Sequence, residues 1–118
     1  MGRKDHSEAL FRALLPLVLA SKSPRRREML SRLGLEFEIL AGRAQEPEAL
    51  AHERPEDLAV RRAEIKAREA AALRPDAAVL AADTIVVLGR DVLGKPRDRA
   101  DALRMLGLLN GRTHAVVT

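Results

Sequence analysis

The sequence predicts an α/β fold in which helices flank a mixed β-sheet. Two short apolar runs, LVLA at 17–20 and AAVLAA at 77–82, are typical of strands that are covered on both faces. Segments with helical spacing of apolar residues lie between such runs, and glycine-containing turns separate them. The predicted order of elements, β-α-β-α-β-β-α-β, is the alternation expected of an α/β domain.

The first helix is predicted from Pro24 to about Leu33, after the strand at 17–20. Ser23 can cap its N-terminus, and Pro24 suits the first helical position, where no backbone N–H is needed. Gly34 fits the position just past the C-terminus. Three apolar side chains share the face that we expect to point inward: Met29, Leu30 and Leu33.

A second strand is predicted at 37–40, and residues 41–54 have no clear period and are interpreted as a loop. The longest helical signal runs from Pro55 to about Leu73. Glu56 and Asp57 favour its first turn, because acidic residues there oppose the partial positive charge of the helix end.

The second half of the chain predicts further strands and one more helix. Residues 83–94 contain two strand segments separated by a turn at 89–91. Asp98 is expected to cap a helix that runs to about Leu109, and an Asn-Gly turn then leads into a strand within 113–118. Two side chains of this helix are expected to face inward: Leu103 and Leu106.

The length of 118 residues fits one domain. Residues 1–15 are expected to form a polar extension. Residues 16–118 are expected to form the N-terminal part of a single domain, because the sequence stops inside an apparent strand. A basic start before ALLPLVLAS loosely mimics a leader peptide, but Pro16 interrupts the apolar run and basic residues follow it, which favours a buried strand.

Composition narrows the classes of function. The chain has no cysteine, which excludes disulfides and thiolate metal sites and agrees with a cytoplasmic location. The net charge of +4 comes from residues 1–32, which hold eight Lys/Arg and three Asp/Glu. This excess is local, whereas nucleic-acid surfaces usually carry a broader basic stripe. We therefore expect neither a nucleic-acid partner nor a membrane partner, since no apolar run approaches about 20 residues.

Three consecutive arginines, Arg25 to Arg27, occupy the start of the first predicted helix. Positive side chains are unfavourable there unless an anion binds, because the helix end already carries partial positive charge. Free backbone N–H groups and guanidinium forks that face one point would form a phosphate site. The alternative, in which the three side chains point in different directions and are solvated, remains open at this point.

Lys66 belongs to a second basic cluster on the long predicted helix. Asp57–Arg61 and Glu64–Arg68 have the spacing of favourable i,i+4 pairs, whereas Arg62–Lys66 is a like-charged pair. A basic pair without internal compensation again suits an anion. A flexible, solvated surface pair is the alternative.

Asp83 follows the run AAVLAA directly, so we expect it at the carboxyl end of a buried strand, where ligand sites of open α/β sheets gather. A carboxylate buried there needs a basic side chain or a hard divalent metal, unless it caps a turn ahead of Thr84. The segment GRDVLGKP lacks the Ser or Thr that a P-loop needs, although Lys95 can still reach a phosphate. Phosphate-binding residues with one carboxylate suit metal-assisted hydrolysis of a phosphoanhydride.

Several blocks of the sequence together resemble one family. SKSPRR, the lysine of RRAEIKAREA, the ADT after AAVLA, and GKP occur in the order and spacing of the Maf nucleoside triphosphate pyrophosphatases. The resemblance covers residues 16–118. It implies an inosine-triphosphate-pyrophosphatase-like α/β fold, and cleavage of a nucleotide to the monophosphate and diphosphate with a divalent cation, Mg²⁺ or Mn²⁺. It also implies a link to arrest of cell division.

The resemblance implies roles for individual residues. Asp83 would be the proton acceptor and, with Glu46, would lie at the metal. Arg25 and Thr84 correspond to positions that bear on base selection, and they match the dTTP/UTP branch of the family. The other substrate-binding positions are Ser21, Arg26, Lys66 and Lys95.

The loop after the second predicted strand departs from the family pattern, because Arg43 and Gln45 stand where acids are common. The family also continues for roughly another half-length beyond the block that ends at Thr118. An alternative function is therefore a nucleotide-binding or interaction module with impaired catalysis. A homodimer is left open.

Overall fold

The computed structural model describes residues 14–43 and 45–118, and most of the predicted extension at 1–15 lies outside these residues. The described part is a mixed α/β structure, as predicted. Its strands are β1 (Leu17–Leu19), β2 (Glu38–Ile39), β3 (Ala78–Leu80), β4 (Ile85–Leu88), β5 (Asp91–Leu93) and β6 (Ala115–Val117). Its helices are α1 (Pro24–Arg32), α2 (Pro55–Leu73) and α3 (Arg99–Leu109).

The strands form two separate sheets and not the single mixed sheet that was predicted. One sheet is parallel, has the order β2-β1-β3, and pairs Val18 of β1 with Glu38 and with Val79. The other is antiparallel and has the order β5-β4-β6. Gly89, at φ +60°, provides the left-handed conformation that the tight turn between β4 and β5 requires. An apolar run predicts a strand but does not show which strand it pairs with. The sequence therefore did not reveal that β4 pairs with β5 and β6 and not with the strands of the first sheet.

The described chain divides into two compact units. The first unit comprises the described residues up to Glu46 together with Ala63–Ala82, and contains the parallel sheet and α1. Its core gathers around Val18, Ala20 and Ala70. β1 is the central, buried strand, as predicted. β3 lies at the sheet edge with alternate residues exposed, so the prediction of a strand covered on both faces is wrong at 77–82.

The second unit comprises Pro47–Arg62 and Asp83–Thr118, and contains the antiparallel sheet and α3. Ile85 and Leu88 of β4 are buried, as is Leu58 at the start of α2. None of the residues of α3 is buried. The prediction that Leu103 and Leu106 face inward is therefore wrong, because both side chains are mainly exposed.

Local signals located the helix ends well. The Ser23 hydroxyl accepts a hydrogen bond from the Arg26 N–H at 3.3 Å, and Gly34 adopts a left-handed φ of +78° just past α1. Leu30 is buried, as predicted, whereas Met29 is exposed. α2 has the predicted bounds. None of the helices in the described part of the chain has the length and hydrophobicity of a membrane span.

Candidate functional site

Ser21 and Arg26 lie together in the first unit. Ser21 is buried just past the carboxyl end of β1, and its Oγ accepts hydrogen bonds from the Ser23 N–H at 3.1 Å and from Arg26 Nη1 at 3.4 Å. Arg26 Nη1 also donates to the carbonyl oxygen of Ala82 at 3.1 Å. Because β1 and β3 are parallel, both segments that Arg26 contacts follow the carboxyl ends of their strands. The guanidinium is thus held at the edge where α/β ligand sites form.

The three consecutive arginines have different surroundings. Arg26 is half-buried, whereas Arg25 and Arg27 are exposed. No acidic residue occupies the first turn of α1. The end of α1 therefore retains a concentration of positive charge, with one guanidinium fixed by the backbone and two that extend into solvent.

Lys66 is already neutralised in the first unit. Its Nζ lies 2.9 Å from Glu46 Oε1, in an ion pair with side-chain exposures of 24% and 31%. Three residues further along α2, Glu69 Oε1 accepts a hydrogen bond from the Arg43 N–H at 2.8 Å. Two successive contacts thus bind the loop after β2 to α2. The acid that compensates Lys66 lies outside α2, so the spacing of charges along the helix could not reveal it.

Asp83 is buried in the second unit, as expected for a carboxylate at a strand end, and it faces a basic side chain. Arg62 Nη1 lies 3.9 Å from Asp83 Oδ2, and the exposures of the two side chains are 11% and 6%. Arg62 Nε donates to the carbonyl oxygen of Pro47 at 2.9 Å. The expectation of a cation near Asp83 is met by this guanidinium.

Thr84 and Lys95, the other predicted site residues of the second unit, are exposed. Thr84 Oγ1 lies 2.9 Å from Thr118 Oγ1, at hydrogen-bond distance. Lys95 follows β5 by two residues, in the GKP segment. Both side chains are open to a ligand from solvent.

Glu53 anchors the segment that precedes α2. It accepts hydrogen bonds from Arg61 Nε and Nη2, both at 2.8 Å, and from the Leu50 N–H at 3.0 Å. The Arg61 hydrogen bonds, followed by that from Leu50, lower the pKa of Glu53 to about 2. The predicted Asp57–Arg61 pair is wrong, because Arg61 binds Glu53 and Asp57 binds Arg54 at 2.9 Å.

The described residues contain no cluster of three or more acidic or histidine side chains that could hold a metal ion. Asp83 supplies the hard oxygen donor that Mg²⁺ and Mn²⁺ prefer, and Glu46 supplies a second carboxylate that Lys66 neutralises. Mg²⁺ commonly takes one or two protein carboxylates and completes its shell with phosphate oxygens and water. Each carboxylate, taken within its own unit, has the chemistry of a ligand for a metal that a triphosphate also binds.

Comparison with known proteins identifies the family. The sequence model of a family described as Maf-like protein matches residues 16–118. The chain belongs to the Maf-like family. The match includes every residue that the sequence singled out for a role in binding or chemistry.

Curated relatives of this Maf-like chain are named dTTP/UTP pyrophosphatase. The protein of Anaeromyxobacter dehalogenans (strain 2CP-1 / ATCC BAA-258) is 54% identical over 102 residues, which cover 86% of this chain and 50% of the relative. That of Geotalea uraniireducens (strain Rf4) is 47% identical over 109 residues, 92% of this chain and 56% of the relative. The chain spans about half the length of the curated relatives it matches.

Two residues with structural importance in this Maf-like chain were missed in the sequence. Arg62 was interpreted only as a like-charged neighbour of Lys66, and Glu69 was given no role. The spacing of charges on α2 was the available signal, but which acid each base meets depends on contacts distant in sequence. Helical periodicity carries no information about those contacts.

Proposed function

We propose that this chain is a nucleoside triphosphate pyrophosphatase that hydrolyses dTTP and UTP to the monophosphate and diphosphate. The observation that carries the proposal is the buried Asp83 carboxylate of the ADT block, which faces the Arg62 guanidinium. A carboxylate kept out of bulk water beside a strand end is suited to accept a proton from an attacking water. The names of the curated relatives support the same reaction.

In the proposed reaction, Asp83 accepts the proton of the water that attacks the α-phosphate. Ser21, Arg26, Lys66 and Lys95 bind the phosphates, and Arg25 and Thr84 bear on the choice of base. Asp83 and Glu46 would hold Mg²⁺ or Mn²⁺, which neutralises charge on the triphosphate. Lys66 would exchange Glu46 for a phosphate oxygen, since an ammonium group binds either anionic oxygen.

The finer assignments belong to the same proposal. Residues 16–118 would form part of one inosine-triphosphate-pyrophosphatase-like domain of a cytoplasmic enzyme, with a nucleoside triphosphate as partner and with no nucleic acid or membrane. A homodimer and a role in arrest of cell division remain proposals of the family resemblance. The match to the Maf-like family over 16–118 supports only the assignment of these residues to that family's domain.

Pyrophosphate release tests the proposed reaction. The purified chain is incubated with Mg²⁺ and, separately, with dTTP, UTP or dATP, and we expect release from the first two in preference to dATP. Asp83→Asn should lower kcat by about 100-fold or more, the range for loss of a general base. Asp91→Asn, an exposed acid of the same unit, is the matched control and should leave kcat unchanged. A fully active Asp83→Asn variant would refute the assigned base.

A nucleotide-binding module without turnover is the second candidate function. In such a module Lys66 would bind the triphosphate, which must first compete with the Glu46 carboxylate. Calorimetric binding of dTTP without release of pyrophosphate would support the module. Release of pyrophosphate at a rate abolished by Asp83→Asn would exclude it.

A further inference from the structure

Arg62 is a largely buried base of the second unit whose function the sequence did not indicate. Its Nη1 lies 3.9 Å from Asp83 Oδ2, and its Nε donates to the Pro47 carbonyl at 2.9 Å. The guanidinium is therefore fixed at one edge by the backbone, and another edge faces the carboxylate. Its side chain is 11% exposed, so this arrangement is screened from bulk water.

We propose that Arg62 is a positioning residue, which holds the Asp83 carboxylate in the orientation required for the reaction. This inference rests on the proposed function. Arg62 itself contacts no substrate in this assignment. It acts through Asp83, in contrast to Arg25, Arg26, Lys66 and Lys95, which are proposed to bind the nucleotide.

The geometry gives two reasons for this role. A distance of 3.9 Å between Arg62 Nη1 and Asp83 Oδ2 is too long for a direct hydrogen bond between these two atoms, so this contact is electrostatic, and it lies between side chains that are largely shielded from solvent. The Pro47 hydrogen bond limits the rotation of the guanidinium plane. Arginine is suited to this double contact, because its planar fork presents donors on separate edges, whereas lysine carries a point charge.

The test replaces Arg62 with two different residues. Arg62→Met removes the charge and keeps most of the stem, and Arg62→Lys keeps the charge but loses the fork. Arg61→Met is the matched control, because it removes the neighbouring guanidinium, with its own Glu53 ion pair, from the same helix. Steady-state hydrolysis of dTTP gives kcat and KM for each variant.

We expect Arg62→Met to lower kcat by about 10- to 100-fold, the scale of a misplaced reacting group, with KM within about threefold. Arg62→Lys should recover part of the loss, and Arg61→Met should retain kcat within about twofold. In an Asp83→Asn background, Arg62→Met should cause no further loss of kcat. Equal losses for Arg62→Met and Arg61→Met, or a rise in KM alone, would overturn the proposal.

A second measurement separates this inference from the proposed function. Urea midpoints are measured for wild type, Arg62→Met, Asp83→Asn and the double variant. If Arg62 holds Asp83, the urea midpoint of the double variant falls by less than the sum of the falls in the two single variants. Additive losses would overturn the inference even in an active enzyme. A wild-type chain that is inactive, yet shows coupled midpoints, would refute the proposed reaction and retain the contact between Arg62 and Asp83.

Discussion

Two ion pairs of α2, one in each unit, differ in what surrounds them. In the second unit, Arg62 and Asp83 are nearly buried and 3.9 Å apart. In the first unit, Lys66 and Glu46 are 2.9 Å apart, and about a quarter to a third of each side chain is exposed. The longer pair is the more buried one.

The difference shows that distance alone does not rank ion pairs. A partly exposed pair gains little, because water screens it and long side chains lose freedom when they are fixed. A buried pair gains little over apolar residues, but the removal of one partner is costly, since a charge remains in a poorly solvated place. We therefore expect the Lys66–Glu46 pair to break at little cost in stability and the Arg62–Asp83 pair to break at a larger cost.

The largest expected difference in stability is between two variants, each of which removes the acidic residue of one pair. Asp83→Ala should lower the free energy of unfolding by about 3 kcal/mol, because it removes the carboxylate that faces a buried guanidinium. Glu46→Ala should cost less than about 1 kcal/mol, because Lys66 can reach solvent. Urea denaturation, followed by circular dichroism, measures both.

Asp83→Ala with Arg62→Met serves as the control, since removal of both charges should recover part of the loss. Equal destabilisation by Asp83→Ala and Glu46→Ala would contradict the contrast drawn between the pairs.

Two glycines, one in each unit, should give smaller effects of opposite sign. A Cβ on Gly42 would overlap the carboxylate of Glu69, whereas one on Gly107 of α3 would meet no atom within 4 Å. Gly42→Ala should therefore displace Glu69 from the Arg43 N–H, at a cost of about 1 kcal/mol. Gly107→Ala should stabilise the protein by up to about 1 kcal/mol, because alanine is the better helix former.

Glu69→Ala provides the internal check on the Gly42 prediction. Once the carboxylate is absent, Gly42→Ala should add little further destabilisation. Thermal or urea midpoints of the two single variants and the double variant would reveal this. A full additional loss would mean that Glu69 is not what restricts residue 42.

The success of prediction from sequence depended on the range of the interactions involved. Helix ends were well predicted because Ser23, Pro24 and Gly34 act on the backbone within a few residues. The burial of Asp83 followed from its place after a strand. The partners of Arg61 and Arg62 could not be predicted from helical spacing, because Glu53 lies before the helix begins and Asp83 is distant in sequence.

Apolar content also proved a poor guide to burial where the strand pairing was unknown. LVLA and AAVLAA have similar composition, yet β1 is central in its sheet and β3 is at the edge. Leu103 and Leu106 have helical spacing, but α3 contributes no buried residue. Periodicity defines a face of an element, and only the packing of neighbouring elements decides whether that face is covered.

The smallest expected effect concerns a third ion pair of α2, which lies between the other two in exposure. Glu53 is 9% exposed and Arg61 is 30% exposed. The pKa of Glu53 is lowered from 4.5 to about 2 by the Arg61 and Leu50 hydrogen bonds, so the unfolded chain takes up the proton first as the pH falls. Its contribution to stability is complete above about pH 4.5 and is lost progressively towards pH 2.

Glu53→Gln should therefore weaken the fall in the thermal midpoint between pH 5 and pH 2 without abolishing it, because other acids such as Asp57 and Asp101 also have lowered pKa values. Arg61→Met should flatten the same profile, since it removes the group that lowers the pKa of Glu53 most. An unchanged slope in both variants would show that this pair does not stabilise the fold.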